Sequence, residues 1–376
     1  MLINLAPLGI DWQSIPISGA SPQANLAALL DLCFIATDAV DTECFQPLRS
    51  TVDVEELVGP GGDRLTLPPS GNGNAMALMQ HWPITEALGG QVSPANSFPP
   101  QWQALTAAML WAGQASNQFL GGSSLGSSGS DGMNIVEVQP GYVSWGYGRG
   151  GCRLQIAYIN GWPTAGLLPA ATTSATFTSG NVDATVSSTT GITEGAPISC
   201  LGLLDDGTLV ASVGSGTITL SQPASNSGTG LAQVGYAVGV TSLNVDDVTG
   251  MDGTGPTIFD GALSENVRIT GATAVSPVQV LPGLYATIGE GVVTLASPTR
   301  QAHSGTEPAS ALVSAMPANV RLATYYYAGA EAMQRGGTAF TVQALPGSLQ
   351  SSGGTPSIGD LTKQAEEQLK NFRRVF

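Results

Sequence analysis

The chain has 376 residues, with 49 Gly, 24 Pro and only 10% charged residues, 12 Lys+Arg against 27 Asp+Glu. Soluble domains usually carry about 25% charge. The apolar share of 42% is ordinary, which excludes charge-driven disorder, and Gly shows no period of three, which excludes collagen. The net charge of −15 argues against an exposed nucleic-acid-binding stripe.

The opening MLINLAPLGIDWQ has neither a basic segment nor a long apolar one, so no signal peptide is expected. Ser21-Pro22 reads as a helix cap and first position. Leu26, Leu29, Leu30, Cys33, Phe34, Thr37 and Val40 then recur at helical spacing, up to a limit at Pro47. A second short helix is expected over Val52 to Val58, ended by Gly59-Pro60-Gly61-Gly62. Arg64-Leu65-Thr66-Leu67 reads as a short strand, followed by a poorly patterned stretch and a Gly/Ser loop at 121–132. Ile135 to Val138 and Cys152 to Tyr158 read as strands.

Between about Ala171 and Thr306 the chain is Thr/Val/Ser-rich, with turn residues every 8–12 positions, the pattern of a sandwich or small barrels. An internal echo lies within it. Ala184 to Ile192 matches Leu243 to Met251 in spacing, and Gly216 to Pro223 matches Gly291 to Pro298, with the second copy sixteen residues longer between landmarks. Helix returns with Val320, Ala323, Tyr326, Tyr327, Ala330 and Met333 on one face, stopped at Gly336-Gly337. A last helix carries Leu361, Ala365, Leu369 and Phe372, with Ser357 and Asp360 placed as a capping box.

The expected class is therefore α+β, a helical core with a few short strands interrupted by a large all-β insertion. The expected parts are 1–170 for the first part of the core, 171–308 for the insertion and 309–376 for the helices that complete the core. The insertion divides into two modules at about 171–235 and 236–308.

Motifs of chemistry are weak. Gly122-Ser123-Ser124-Leu125-Gly126 matches GxSxG but lacks the strand and helix that make a nucleophile elbow. Gly146 to Gly151 matches GxGxxG but runs into a strand, where a dinucleotide site would open a helix. Asp205-Asp206-Gly207 and Asp246-Asp247 lack the distal Glu of a calcium loop. Cys33, Cys44, Cys152 and Cys200 form no CxxC and read as buried reduced thiols, which places the chain in cytoplasm. No catalytic residue, cofactor site or metal site is expected. One cluster combines basic and aromatic residues, at Lys370, Phe372, Arg373, Arg374 and Phe376, and Arg and Phe are strong interface anchors.

Several segments in order resemble the head-to-tail connector (adaptor, or head-completion) proteins of tailed bacteriophages. They are Leu65-Thr66-Leu67, Trp82-Pro83-Ile84-Thr85, Phe98-Pro99-Pro100-Gln101-Trp102, Pro140-Gly141-Tyr142-Val143 and Arg153 to Pro163 with its Asn-Gly-Trp-Pro ending. Leu312 to Pro317, Gln334-Arg335-Gly336-Gly337 and Phe372-Arg373-Arg374-Val375-Phe376 complete the order.

The resemblance implies a structural virion protein without enzymatic activity. It implies a homo-oligomeric ring, commonly of twelve copies, below the portal protein in the head–tail neck. That ring extends the DNA channel, lets viral DNA pass without specific binding, and receives the next neck or tail component. It implies assembly in the host cytoplasm, no membrane partner, and Lys370, Phe372, Arg373, Arg374 and Phe376 as portal-docking residues. The doubled β insertion is expected at the outside of the ring. Other expectations are a different virion part (tail terminator, decoration or fibre protein), a secreted bacterial adhesin or surface protein, and a hydrolase using Ser124.

Overall fold

A computed structural model of the chain describes residues 22–59, 64–66, 75–112, 135–138, 151–260, 263–305, 311–334 and 358–372. Strands make up 44% and helices 17%, with three α-helices among the described residues: α1 (Pro22–Cys44), α2 (Ala318–Gln334) and α3 (Ile358–Leu369). This corrects the expectation of an α+β helical core interrupted by an all-β insertion. Among the described residues of 1–170, expected as the first part of that core, α1 is the one α-helix and the other elements are mainly strands.

The correction begins at Val52 to Val58, expected as a helix. Thr51–Gly59 is a nine-residue strand, paired antiparallel along its whole length with Cys152–Asn160. Thr51, Asp53, Glu55 and Leu57 share one face of the pleat and Val52, Val54, Glu56 and Val58 the other. Both faces mix apolar and acidic residues, so the period of two is hidden in the sequence.

The unpatterned stretch that follows is also sheet. Ile84–Pro94 pairs with Cys152–Asn160 through two register shifts, and these bulges break its alternation. Gln103–Thr106 completes this four-stranded sheet. A second antiparallel sheet, of Leu65–Thr66, Ala75–Leu78, Ile135–Val138 and Leu110–Ala112, packs against it. Leu57, Leu154 and Ile156 from the first sheet and Leu65, Ala77, Val136 and Val138 from the second share one buried cluster.

The three helices form a separate layer. Leu32, Ala36 and Val40 of α1, Val320 and Ala323 of α2, and Leu361, Ala365 and Leu369 of α3 make its core. α1 ends at Cys44, and Phe45, with φ 56°, turns the chain before Pro47.

Downstream, the two echoing segments occupy equivalent registers. Asp183–Val186 pairs with Thr217–Leu220, placing Ala184 opposite Ile218. Ser242–Val245 pairs with Gly291–Leu295, placing Leu243 opposite Val293, the matching pair. The third strand agrees as well. Val210–Val213 and Ile269–Ala274 pair with the same edge of their partners, and each carries a register shift after its first residue, at Val210/Ser212 and Ile269/Gly271. Gly191 and Gly250 close equivalent turns in the left-handed region, at φ 78° and 68°.

The copies differ in what surrounds this shared unit. The first lies in a six-stranded sheet with Ile198–Ser199, Gly228–Val234 and Ala171–Phe177, around Phe177, Ile198 and Ile218. The second packs on a sheet of Leu263–Asn266, Thr257–Asp260, Leu312–Ser314 and Thr164–Gly166, so its core draws on residues outside 236–308. It also carries an extra hairpin, Val278–Leu281 with Leu284–Ala286, whose Leu284 leans on Gly89 of the first sheet. Arg321 of α2 lies over the Phe259 ring at 4.0 Å, tying the helical layer to the second copy.

Candidate docking site

α3 positions the basic and aromatic cluster. Its buried stripe of Leu361, Ala365 and Leu369 seats it on α1 and α2, and Phe372 N–H donates to the Leu369 carbonyl at 2.8 Å just beyond its end. Lys370 is exposed, and Phe372 is half-buried and turned inward. Arg373, Arg374 and Phe376 lie outside the described residues.

Phe372 meets two tryptophans. Its ring stacks on Trp82, with centroids 6.4 Å apart and planes 12° from parallel, and meets Trp162 edge-on at 5.5 Å. The tryptophans meet each other edge-on at 6.0 Å. Such offset and T-shaped pairs suit the ring quadrupole. The buried Gln46 side chain bonds on two sides of this node: its Oε1 accepts from Trp82 N–H at 3.1 Å, and its Nε2 donates to the Phe372 carbonyl at 3.4 Å.

The backbone holds Trp162 in place. Gly161 N–H donates to the Pro83 carbonyl, Trp162 N–H to Leu48, and Ser50 N–H to Trp162. Gly161 is left-handed at φ 83°, and a Cβ there would sit 2.6 Å from the Arg49 carbonyl oxygen, so only glycine fits. The Asn-Gly-Trp-Pro segment thus has a local structural logic. Pro163, its last residue, accepts from Ala315 N–H at 2.8 Å, and Asn160, its first, donates to Asp53 at 2.7 Å.

Asp53 opens a second polar constellation, beside the node on the inward face of the first sheet. His81 Nδ1 lies 2.6 Å from Asp53 Oδ2. Glu55 receives the Tyr158 hydroxyl, the Arg64 guanidinium and Gln80 N–H. Burial, then the bond to Glu55, holds the Tyr158 phenol far above its ordinary pKa. The carboxylate–imidazole pair orients His81, and the Glu55 side chain is filled by three partners, so the group works as a polar fastening between sheet and loop.

A third constellation surrounds His303, which is fully buried. Its Nε2 lies 3.1 Å from Glu265 and its Nδ1 3.6 Å from Asp260. Glu265 also accepts Arg300 N–H and Gln301 N–H, and Asp260 accepts Ser304 N–H. Burial depresses the imidazolium, but the two carboxylates together outweigh it and raise the pKa.

The remaining motifs resolve more simply. Ser124 and its GxSxG run lie outside the described residues, as does all of the GxGxxG run except Gly151, which leads directly into a strand. Gly207 adopts φ 80° in the Asp205-Asp206-Gly207 turn. Asp246 and Asp247 face Arg49 at 3.7 and 3.1 Å, and Asp247 also accepts Thr249 N–H. Among the described residues, no three His, Cys, Asp or Glu side chains are placed to hold a metal ion, and no helix is long and apolar enough to cross a membrane. None of the four cysteines forms a disulfide, and Cys44, Cys152 and Cys200 are buried and Cys33 half-buried.

The aromatic node joins residues from three distant segments, and composition and spacing do not reveal that they meet. The Asp53/Glu55 group is hidden for the same reason as its strand. Comparison with known proteins finds no matching family model, no matching curated protein and no matching solved structure.

Proposed function

We propose that the chain is a structural component of a tailed-phage virion, the head-to-tail adaptor that forms a ring below the portal and extends the DNA channel. The observation that supports this reading is the node itself. Trp82-Pro83, Asn160-Gly161-Trp162-Pro163 and Phe372, three of the segments that carry the resemblance, lie together around Gln46. The node anchors Phe372, the point from which Arg373, Arg374 and Phe376 continue, and Lys370 beside it faces solvent. In this reading Phe372 roots the basic segment, and Lys370 with the two arginines meets the portal.

The charge deficit supports the same reading, because extensive obligate interfaces are depleted in charge. Mass photometry of the purified chain, alone and with portal protein, is expected to show a discrete particle of about twelve copies. Monomer under both conditions would overturn the proposal.

The abundance of sheet favours a second reading, a decoration or fibre protein of the same virion, since such parts present β-modules outward. Labelling the chain on intact particles separates the two. Label at the neck supports the adaptor, and label over the capsid face or at the tail tip supports the alternative.

A further inference from the structure

His303 is fully buried, and its ring stands between two carboxylates on the two strands of one hairpin. Glu265 Oε2 lies 3.1 Å from Nε2, and Asp260 Oδ2 lies 3.6 Å from Nδ1. A neutral imidazole donates through only one nitrogen, so its other nitrogen would face a carboxylate with no proton between them. The arrangement suits the doubly protonated ring.

The same carboxylates hold the segment that carries His303. Glu265 accepts Arg300 N–H and Gln301 N–H, and Asp260 accepts Ser304 N–H. On its other side this segment, residues 299–304, is bonded to the exit of the first β copy. His303 and Tyr236 exchange both backbone hydrogen bonds, Thr299 N–H donates to the Val240 carbonyl, and Gly239 N–H donates to the Thr299 carbonyl. A Cβ on Gly235 would collide with the His303 carbonyl oxygen, so the approach is close. The segment is a strap between the copies. They keep separate buried clusters, and a cleft of about 240 Å³ lies between them, lined by Ala170, Thr193, Gly235, Tyr236 and Asn244. A second join lies at the entry to the first copy, where Leu168 N–H donates to the Asn244 carbonyl.

We infer that His303 is a proton-operated latch on this strap: the doubly protonated ring holds the exit of the first copy against the second, and loss of one proton to solvent releases that join while the entry join stays closed. Two carboxylates buried beside a neutral ring repel each other and lack a donor. Among the described residues, Asp260 and Glu265 are the ionisable side chains that act on the ring. The Tyr236 phenol, pushed up to about 12 by burial, stays neutral at and below pH 9. Arg268 and Arg300 are exposed, and Arg321 lies over the Phe259 ring. Burial lowers the pKa of His303, but the hydrogen bonds and charges of the two carboxylates outweigh it and raise it. The latch is therefore fully closed below about pH 6.5 and is lost as pH rises through the raised folded value. It belongs to the fold and does not depend on what the chain assembles with.

Hydrogen exchange of the purified chain from pH 6 to pH 9, followed by mass spectrometry and corrected for base-catalysed exchange, tests the latch. Peptides covering 299–304 and 235–240 are expected to lose protection by up to about tenfold per pH unit between about pH 6.5 and the raised folded value. Peptides containing Leu168, and those containing the paired Leu243 and Val293, should keep theirs. His303→Gln should show the strap open to the same extent at every pH. Unchanged strap protection across the range, or a loss shared equally with Leu168 and Leu243, would overturn the inference. So would a pH response that survives in His303→Gln. Should that variant not fold, the exchange profile of the parent chain decides alone.

Discussion

Trp82 and Phe372 stack nearly parallel at 6.4 Å, although one precedes a strand of the sheet layer and the other lies three residues beyond the end of α3. Each also bonds through its backbone to the two ends of one buried amide, Gln46. The stack therefore couples the helical layer to the sheets, which gives Phe372 a structural duty whatever else it meets.

Phe372→Ala is expected to destabilise the chain by about 2–3 kcal/mol, somewhat below the range for a fully buried phenylalanine because the ring is half-buried. Phe372→Leu should recover part of the loss. Urea unfolding followed by tryptophan fluorescence measures both, since Trp82 and Trp162 report on the node directly. A Phe372→Ala chain as stable as the parent would show that the stack holds nothing together.

Gly161→Ala should cost more than its one methyl group suggests. The residue is left-handed, and the added Cβ would meet the Arg49 carbonyl. Backbone strain of this kind costs about 1–3 kcal/mol before any clash is relieved. A clear fall in melting temperature is expected, whereas Gly180→Ala, also left-handed but with open space around it, should fall less.

His303 makes stability depend on pH in a definite direction. Its folded-state pKa is raised above the ordinary value of about 6.5. The contribution is thus fully present below about pH 6.5 and is lost as pH rises through the raised folded value. The difference in melting temperature between the parent and His303→Gln should shrink from pH 6 to pH 9. A difference that grows with pH would contradict the clamp between Asp260 and Glu265.

The cysteines should be poor nucleophiles while the chain is folded. Burial pushes the Cys152 thiol up to about 11 and raises those of Cys33 and Cys200. Titration with a chromogenic disulfide at pH 8 is expected to find at most the half-buried Cys33 reactive, and all four after denaturation. Rapid reaction of two or more thiols in the folded chain would refute this.

How much was legible varies by element. α2 and α3 showed themselves through helical spacing, because each buries one continuous stripe against the helical layer. α1 was legible as a helix but not its face, since Phe34 of the expected stripe is 71% exposed and Leu32, Ala36 and Val40 are the buried side. The echo between Ala184 and Leu243 was readable too, and it extends in space to paired registers and a shared bulge. Thr51–Gly59 was misread because acidic residues occupy both faces of its pleat, the half-buried Asp53 and Glu55 being engaged by His81, Arg64 and Tyr158. Ile84–Pro94 was invisible as a strand because two bulges shift its register.

The sequence by itself determined α1, α2 and α3 as helices, the β-rich middle and the scarcity of charge, since composition and local periodicity are properties of neighbours along the chain. It also placed Trp82, Gly161, Trp162 and Phe372 within the separate segments that carry the resemblance. Only the tertiary structure decided that the described residues before 170 beyond α1 are built largely on paired sheets and that Trp82, Trp162 and Phe372 meet around Gln46. The reason is physical: sheet pairing and aromatic stacking join residues far apart in sequence, and their partners cannot be read from either side alone.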